Sequence, residues 1–198
     1  VPSGRHGSCG ACALEADVMD KNNLTDFLRD RSLRMSEIRE EFNYVYRLAK
    51  WLVVTDGNAI LAIESDTPGY KKASGKFLNL RTWLAVNPKK YQEVDVEKFR
   101  KSIFTLSDQD ELNKSRPMFI LGYAYDLNLL CLALKGAPEK GTIRIFLSNK
   151  TMATRDTSSF AMLHITGENW HLVSMPLNKF HDSFPEEVAT LDLTDLCP

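Results

Sequence analysis

The stretch Trp51–Ser65, WLVVTDGNAILAIES, constrains this chain more than any other. Val53, Val54 and Thr55 are β-branched and follow Trp51 and Leu52, so Trp51–Thr55 reads as a short buried strand. Asp56-Gly57-Asn58 then makes a sharp turn, because glycine tolerates positive φ and Asp and Asn bond back to nearby backbone. From Asn58, a good N-cap, the run Ala59-Ile60-Leu61-Ala62-Ile63-Glu64 is expected to form a buried helix. Ala59 would then sit where a tight turn feeds the first turn of that helix. A cysteine at such a place has its thiolate stabilised by the helix N-terminus, and free N–H groups face a developing oxyanion. Position 59 has the setting of a nucleophile and holds a methyl group.

Composition sets the outer limits. A chain of 198 residues, 43% hydrophobic and 26% charged, can bury a proper core as one soluble domain. A net charge of -1 gives no global electrostatic case for nucleic acid or an anionic membrane surface. No apolar run approaches the length of a membrane span, and no signal peptide is expected. The chain starts at Val1 and stops at Cys197-Pro198, which suggests a fragment of a larger multidomain protein or polyprotein, or a monomer. Four cysteines do not form a disulfide framework, so a reducing, cytoplasmic compartment is expected. Cys131 is expected to be a buried thiol. Cys9 and Cys12 form a C-x-x-C with no second pair at zinc-like spacing, so neither metal nor cofactor is implied.

Residues 1–12 are unpatterned and expected to be a flexible N-terminal segment, with residues 13–198 forming one domain. Within it, 13–50 is expected to supply N-terminal helices (Ala13–Arg29 and Met35–Lys50), 51–176 the core, and 177–198 a tail. Asp66–Lys76 carries turn chemistry, Phe77–Val86 and Val94–Leu106 have helical periodicity, and Asp108–Ser115 is a polar connector. Tyr123–Leu134 is an apolar helical run closed by Gly136 and Pro138. Thr142–Leu147, Phe160–Ile165 and Trp170–Met175 read as strands, the last two joined by Thr166-Gly167-Glu168-Asn169 into a hairpin.

The Asp56-Gly57-Asn58 turn followed by an apolar run resembles the ovarian-tumour (OTU) family of cysteine proteases, whose signature is Asp-Gly-Asn-Cys, with Ala59 in the cysteine's place. The order helix, strand, strand, short loop, strand with an aromatic-flanked histidine is similar too, and Leu80-Arg81 matches a common Leu-Arg pair. The resemblance covers roughly Trp51 to Met175. It implies an α/β (α+β) fold of the OTU, papain-like type, with a small central sheet packed between helices. The implied parent activity is a deubiquitinase that cleaves isopeptide bonds after the Gly-Gly tail of ubiquitin or a ubiquitin-like modifier. Divergence from cellular OTU motifs hints at a viral or effector origin.

The resemblance also names the candidate residues. Ala59 stands at the nucleophile, and His171 is the general base that would hold a thiol as thiolate. His164, one strand earlier, alternates with apolar neighbours and fits a core position better. The family's orienting position two residues after the histidine is Val173 here, so Asn169 is ranked for that role ahead of Asp56. Asp56, Gly57 and Asn58 would shape the oxyanion pocket. Trp170 either walls a channel for the Gly-Gly tail or belongs to the core. Ala59 is either a deliberate cysteine-to-alanine change or native to a binding-competent pseudoenzyme. Gly7-Ser8-Cys9-Gly10-Ala11-Cys12 resembles a papain-type nucleophile region, but Ala13-Leu14-Glu15-Ala16 follows where that family has an aromatic run. A papain-like protease using Cys9 or Cys12 is therefore the further alternative.

Overall fold

The computed structural model describes residues 45–66, 71–72, 84–107, 115–151, 159–177 and 188–198. The expected helix Ala13–Arg29, the Cys9/Cys12 motif, the Leu80-Arg81 pair and most of Phe77–Val86 lie outside the described residues. Eleven strands occur among those described: β1 (Tyr46–Leu48), β2 (Trp51–Thr55), β3 (Ala59–Glu64), β4 (Lys71–Lys72), β5 (Gln92–Asp95), β6 (Pro117–Ile120), β7 (Tyr123–Asp126), β8 (Thr142–Thr151), β9 (Ser159–Thr166), β10 (Trp170–Ser174) and β11 (Ala189–Leu191). Two α-helices accompany them, α1 (Val96–Leu106) and α2 (Leu127–Leu134), with a 3-10 turn at Thr194–Leu196. The class is mixed α+β.

Eight strands form one sheet in the order β4-β1-β2-β3-β10-β9-β8-β5, antiparallel throughout except at β1/β4. A second sheet runs β11-β6-β7. The expected small sheet between helices is thus a large one. Both helices belong to one apolar cluster with the second sheet and with one face of the first. That inner face carries Leu52, Val54, Leu61, Ile63, Ile143, Ile145, Leu163, Ile165 and Leu172. The outer face carries Tyr46, Leu48, Val53, Ile60, Ala62, Met162 and Val173. This division follows from the period-two alternation of side chains along a strand.

The main correction to the sequence reading falls on residues 59–64, which are strand β3 and not a helix. Ala59–Ile63 is apolar on every side, so its periodicity does not distinguish the two states. Six residues are few for a helix, Ile60 and Ile63 are β-branched, and both neighbours are strands that a strand pairs with directly. Residues 46–48 of the expected helix Met35–Lys50 are likewise strand, pairing with β2 through a tight turn at Ala49-Lys50. The apolar run Tyr123–Leu134 divides into β7 and α2. Asp126 makes the change of state, its carboxylate accepting from the Asn128 and Leu129 amides as the N-cap of α2. Asp95 caps α1 in the same way, accepting from Lys98 N–H. The β9–β10 hairpin agrees with the sequence reading, and β8 runs four residues beyond the expected Leu147.

Candidate functional site

The turn at Asp56-Gly57-Asn58 joins β2 to β3. Gly57 takes φ 89°, the left-handed region that glycine enters without a Cβ penalty. The amides of Gly57, Asn58 and Ala59 each have an intramolecular acceptor. Asp56 Oδ1 accepts from the N–H groups of Asn58 and Ala59, both at 2.8 Å. Thr55 Oγ1 accepts from Gly57 N–H at 3.1 Å and donates to the Ala59 carbonyl at 2.6 Å. Asp56 is buried and serves as the turn's internal anchor. The expected oxyanion role for Gly57 and Asn58 therefore finds no free donors in this arrangement, because their N–H groups already bond within the turn.

Ala59 and His171 lie on neighbouring strands, β3 and β10, but do not face one another. Ala59 pairs with Ser174, and His171 pairs with Ala62. Three residues along a strand is roughly 10 Å, and an odd offset places side chains on opposite faces. Ala59 is buried in the inner cluster with Leu61 and Ile63. His171 shares the outer face with Val173 and Ala62. A thiol at position 59 would thus have the sheet between it and the imidazole, so the expected nucleophile–base pair is not assembled.

The other candidates also separate. Asn169 is exposed in the β9–β10 turn. Its carbonyl accepts from Glu64 N–H at 3.0 Å, and its side-chain amide is placed to donate to Glu64 Oε2 at 3.1 Å. It is tied to β3 and is not the group that His171 meets. Trp170 is 1% exposed in the inner core, which corrects the channel-wall reading in favour of the core one.

His171 has a different partner. Its Nε2 lies 3.1 Å from Nδ1 of His164, and Nε2 of His164 lies 2.6 Å from Oγ of Ser148. These three side chains come from β10, β9 and β8 in turn. Phe146, opposite His164 in the β8–β9 register, stacks on its ring with centroids 4.7 Å apart and planes 8° from parallel. His164 is fully buried and His171 is 5% exposed, whereas Ser148 is half-buried. Burial lowers the His171 pKa to about 4, so its ring is neutral near pH 7. The sequence ranked His164 as a core residue and did not single out Ser148. The available signal was alternation, since Phe146 and Ser148 on one strand and Met162 and His164 on the next each share a face. What the sequence lacked was the register that sets those faces side by side.

Among the described residues, no group of three or more His, Cys, Asp and Glu side chains is arranged to hold a metal ion. Among the same residues, no helix is long and apolar enough to cross a membrane. Cys131 is buried in α2, as expected for a core thiol, and Cys197 is exposed. An apolar groove of about 420 Å³ lies beside the β1–β2 turn, lined by Leu48, Ala49, Trp51, Leu84 and Ala85. No protein-family model matches the chain, and no curated protein matches it either.

Proposed function

We propose that this chain is a degenerate OTU-type domain that binds ubiquitin or a ubiquitin-like protein without cleaving it. The observation that carries the non-catalytic part is the setting of Ala59: a buried methyl group on the face opposite His171, beside a turn whose amides are already bonded. The parent activity, isopeptide hydrolysis by a thiolate at position 59, needs nucleophile and base on one face and donors free for an oxyanion. The modifier as partner rests on the Asp56-Gly57-Asn58 motif and the order of elements that resemble the family. The groove beside the β1–β2 turn is the surface we assign to such a partner. Half-buried Trp51 on its wall is the kind of large, partly exposed aromatic that anchors protein interfaces.

Two measurements on the full chain test this reading. In the first, Ala59→Cys is treated with ubiquitin bearing a C-terminal electrophile. We expect no adduct, and an adduct that disappears in Ala59→Cys/His171→Ala would overturn the non-catalytic reading. In the second, the unaltered chain is titrated with ubiquitin and ubiquitin-like modifiers by calorimetry. We expect saturable binding, weakened at least tenfold by Trp51→Ala. Absence of binding to any modifier would overturn the partner assignment.

A further inference from the structure

The hydrogen-bonded line Ser148–His164–His171 is independent of the OTU resemblance and lies on the opposite face of the sheet from Ala59. A serine nucleophile needs a base within reach of its hydroxyl, and that base needs a second group fixing its tautomer and orientation. Both requirements are met here by side chains on adjacent strands. Strands are rigid supports, and positions held by a ladder are set more tightly than positions on loops. The 2.6 Å contact brings the Ser148 hydroxyl within proton-transfer distance of His164 Nε2. Phe146 packs flat on the imidazole and restricts its rotation, keeping one nitrogen toward Ser148 and the other toward His171.

The proton inventory is consistent with a base. With His171 neutral and protonated at Nδ1, its Nε2 is an acceptor and takes the hydrogen bond from His164 Nδ1–H. His164 Nε2 then carries a lone pair, and the Ser148 hydroxyl donates to it. In the opposite tautomer His171 Nε2–H donates to His164 Nδ1 and His164 Nε2–H donates to Ser148. Only the first is reactive. Exposure is graded in the order a reaction needs, with half-buried Ser148 outermost and the two imidazoles buried behind it.

We infer that Ser148 and His164 form an acyl-transfer site for small esters, with Ser148 as nucleophile, His164 as general base and His171 as the positioning residue. Ser148 Oγ attacks the ester carbonyl carbon as His164 Nε2 takes the hydroxyl proton. Collapse of the tetrahedral adduct breaks the bond to the alcohol oxygen, which leaves with that proton, and an acyl-serine remains. Water then attacks the acyl carbon, His164 Nε2 removes its proton, and Ser148 leaves and regains a proton from His164. The overall change is ester plus water to acid plus alcohol. A neutral imidazole stabilises the imidazolium at His164 less than a carboxylate would, so turnover is expected to be slow and acyl esters of good leaving groups to react first.

The test uses the full chain with a fluorophosphonate probe and with p-nitrophenyl acetate. Expected results are one phosphonylated residue per chain, mapped by peptide mass spectrometry to Ser148, and a burst of one p-nitrophenol per chain. Ser148→Ala abolishes both. His164→Gln lowers the labelling rate at least a hundredfold, with folding checked by circular dichroism. His171→Phe lowers it about tenfold and displaces the midpoint of the rate–pH profile, which a purely packing role for His171 would leave in place. Should the His164 variant fail to fold, the unaltered chain still decides. A rate of labelling at Ser148 that rises with pH along a single ionisation supports the inference, and no adduct at Ser148, or one whose rate shows no such ionisation, overturns it.

Discussion

His171 concentrates several physical effects in one side chain. Burial lowers its pKa from 6.5 to about 4, so the folded state resists a proton that the unfolded chain accepts. As pH falls, the unfolded chain binds that proton first, near 6.5. The stabilisation is therefore whole above about 6.5, erodes between 6.5 and 4, and is gone below 4. The span corresponds to about 3 kcal/mol. Urea unfolding at steps across this window should show that loss in the unaltered chain and a flatter dependence in His171→Phe. Equal slopes in both would mean that the buried ring does not titrate as described. At this scale the sequence identified His171 as notable but assigned it to a partner on the wrong face. Its true neighbour, His164, became legible only with the β9–β10 register.

Among the elements, the turns carry most of the local information. The Asp56-Gly57-Asn58 turn was legible as a turn from composition, and its φ of 89° at Gly57 agrees. What followed it was not legible, because five successive apolar residues satisfy a buried helix or a buried strand equally and only pairing with β2 and β10 decides. The β1–β2 turn shows the converse. Ala49 holds φ 52° with its side chain exposed, where an L-residue with a Cβ is strained by roughly 1–2 kcal/mol. Ala49→Gly removes that strain and gives back part of it as unfolded-chain entropy, so we expect a net gain of about 0.5–1 kcal/mol. A rise in thermal midpoint of the full chain checks it, and a fall would show that the left-handed geometry costs little there. At the β6–β7 turn, Leu121 and Gly122 share positive φ values of 50° and 84°, the backbone of a type I′ hairpin without its usual Asn. Gly122 is the one turn residue there, and Leu121 in the place of Asn hides it within an apolar run, so this hairpin was not read from the sequence.

For the molecule as a whole, residue periodicity gave β8, β9, β10 and the α1 helix, while β6, β7, β11 and the sheet order lay beyond it. Strand formation is a local tendency, but neighbours are chosen by burial of both faces, and that choice links segments far apart in the chain. The seam between β3 and β10 is where this matters most. It unites a meander of β1, β2 and β3 with the later β8–β9–β10 ladder, across a gap of roughly 100 residues. Closing a chain segment of that length costs on the order of 4 kcal/mol of entropy before any contact across the seam forms. Each side can assemble from local hairpins within microseconds, so the union of the two is expected to limit the rate of folding. Leu61→Ala and Leu172→Ala, one on each side of that junction, should then slow refolding as well as speed unfolding, whereas Leu196→Ala, in the peripheral 3-10 turn, should act on unfolding alone. A chain released from a ribosome would in that case hold β1, β2 and β3 with an open edge until β10 emerged, exposing Ile60, Leu61 and Ile63 to neighbouring chains. The interior of the finished sheet is thus also its aggregation hazard during synthesis.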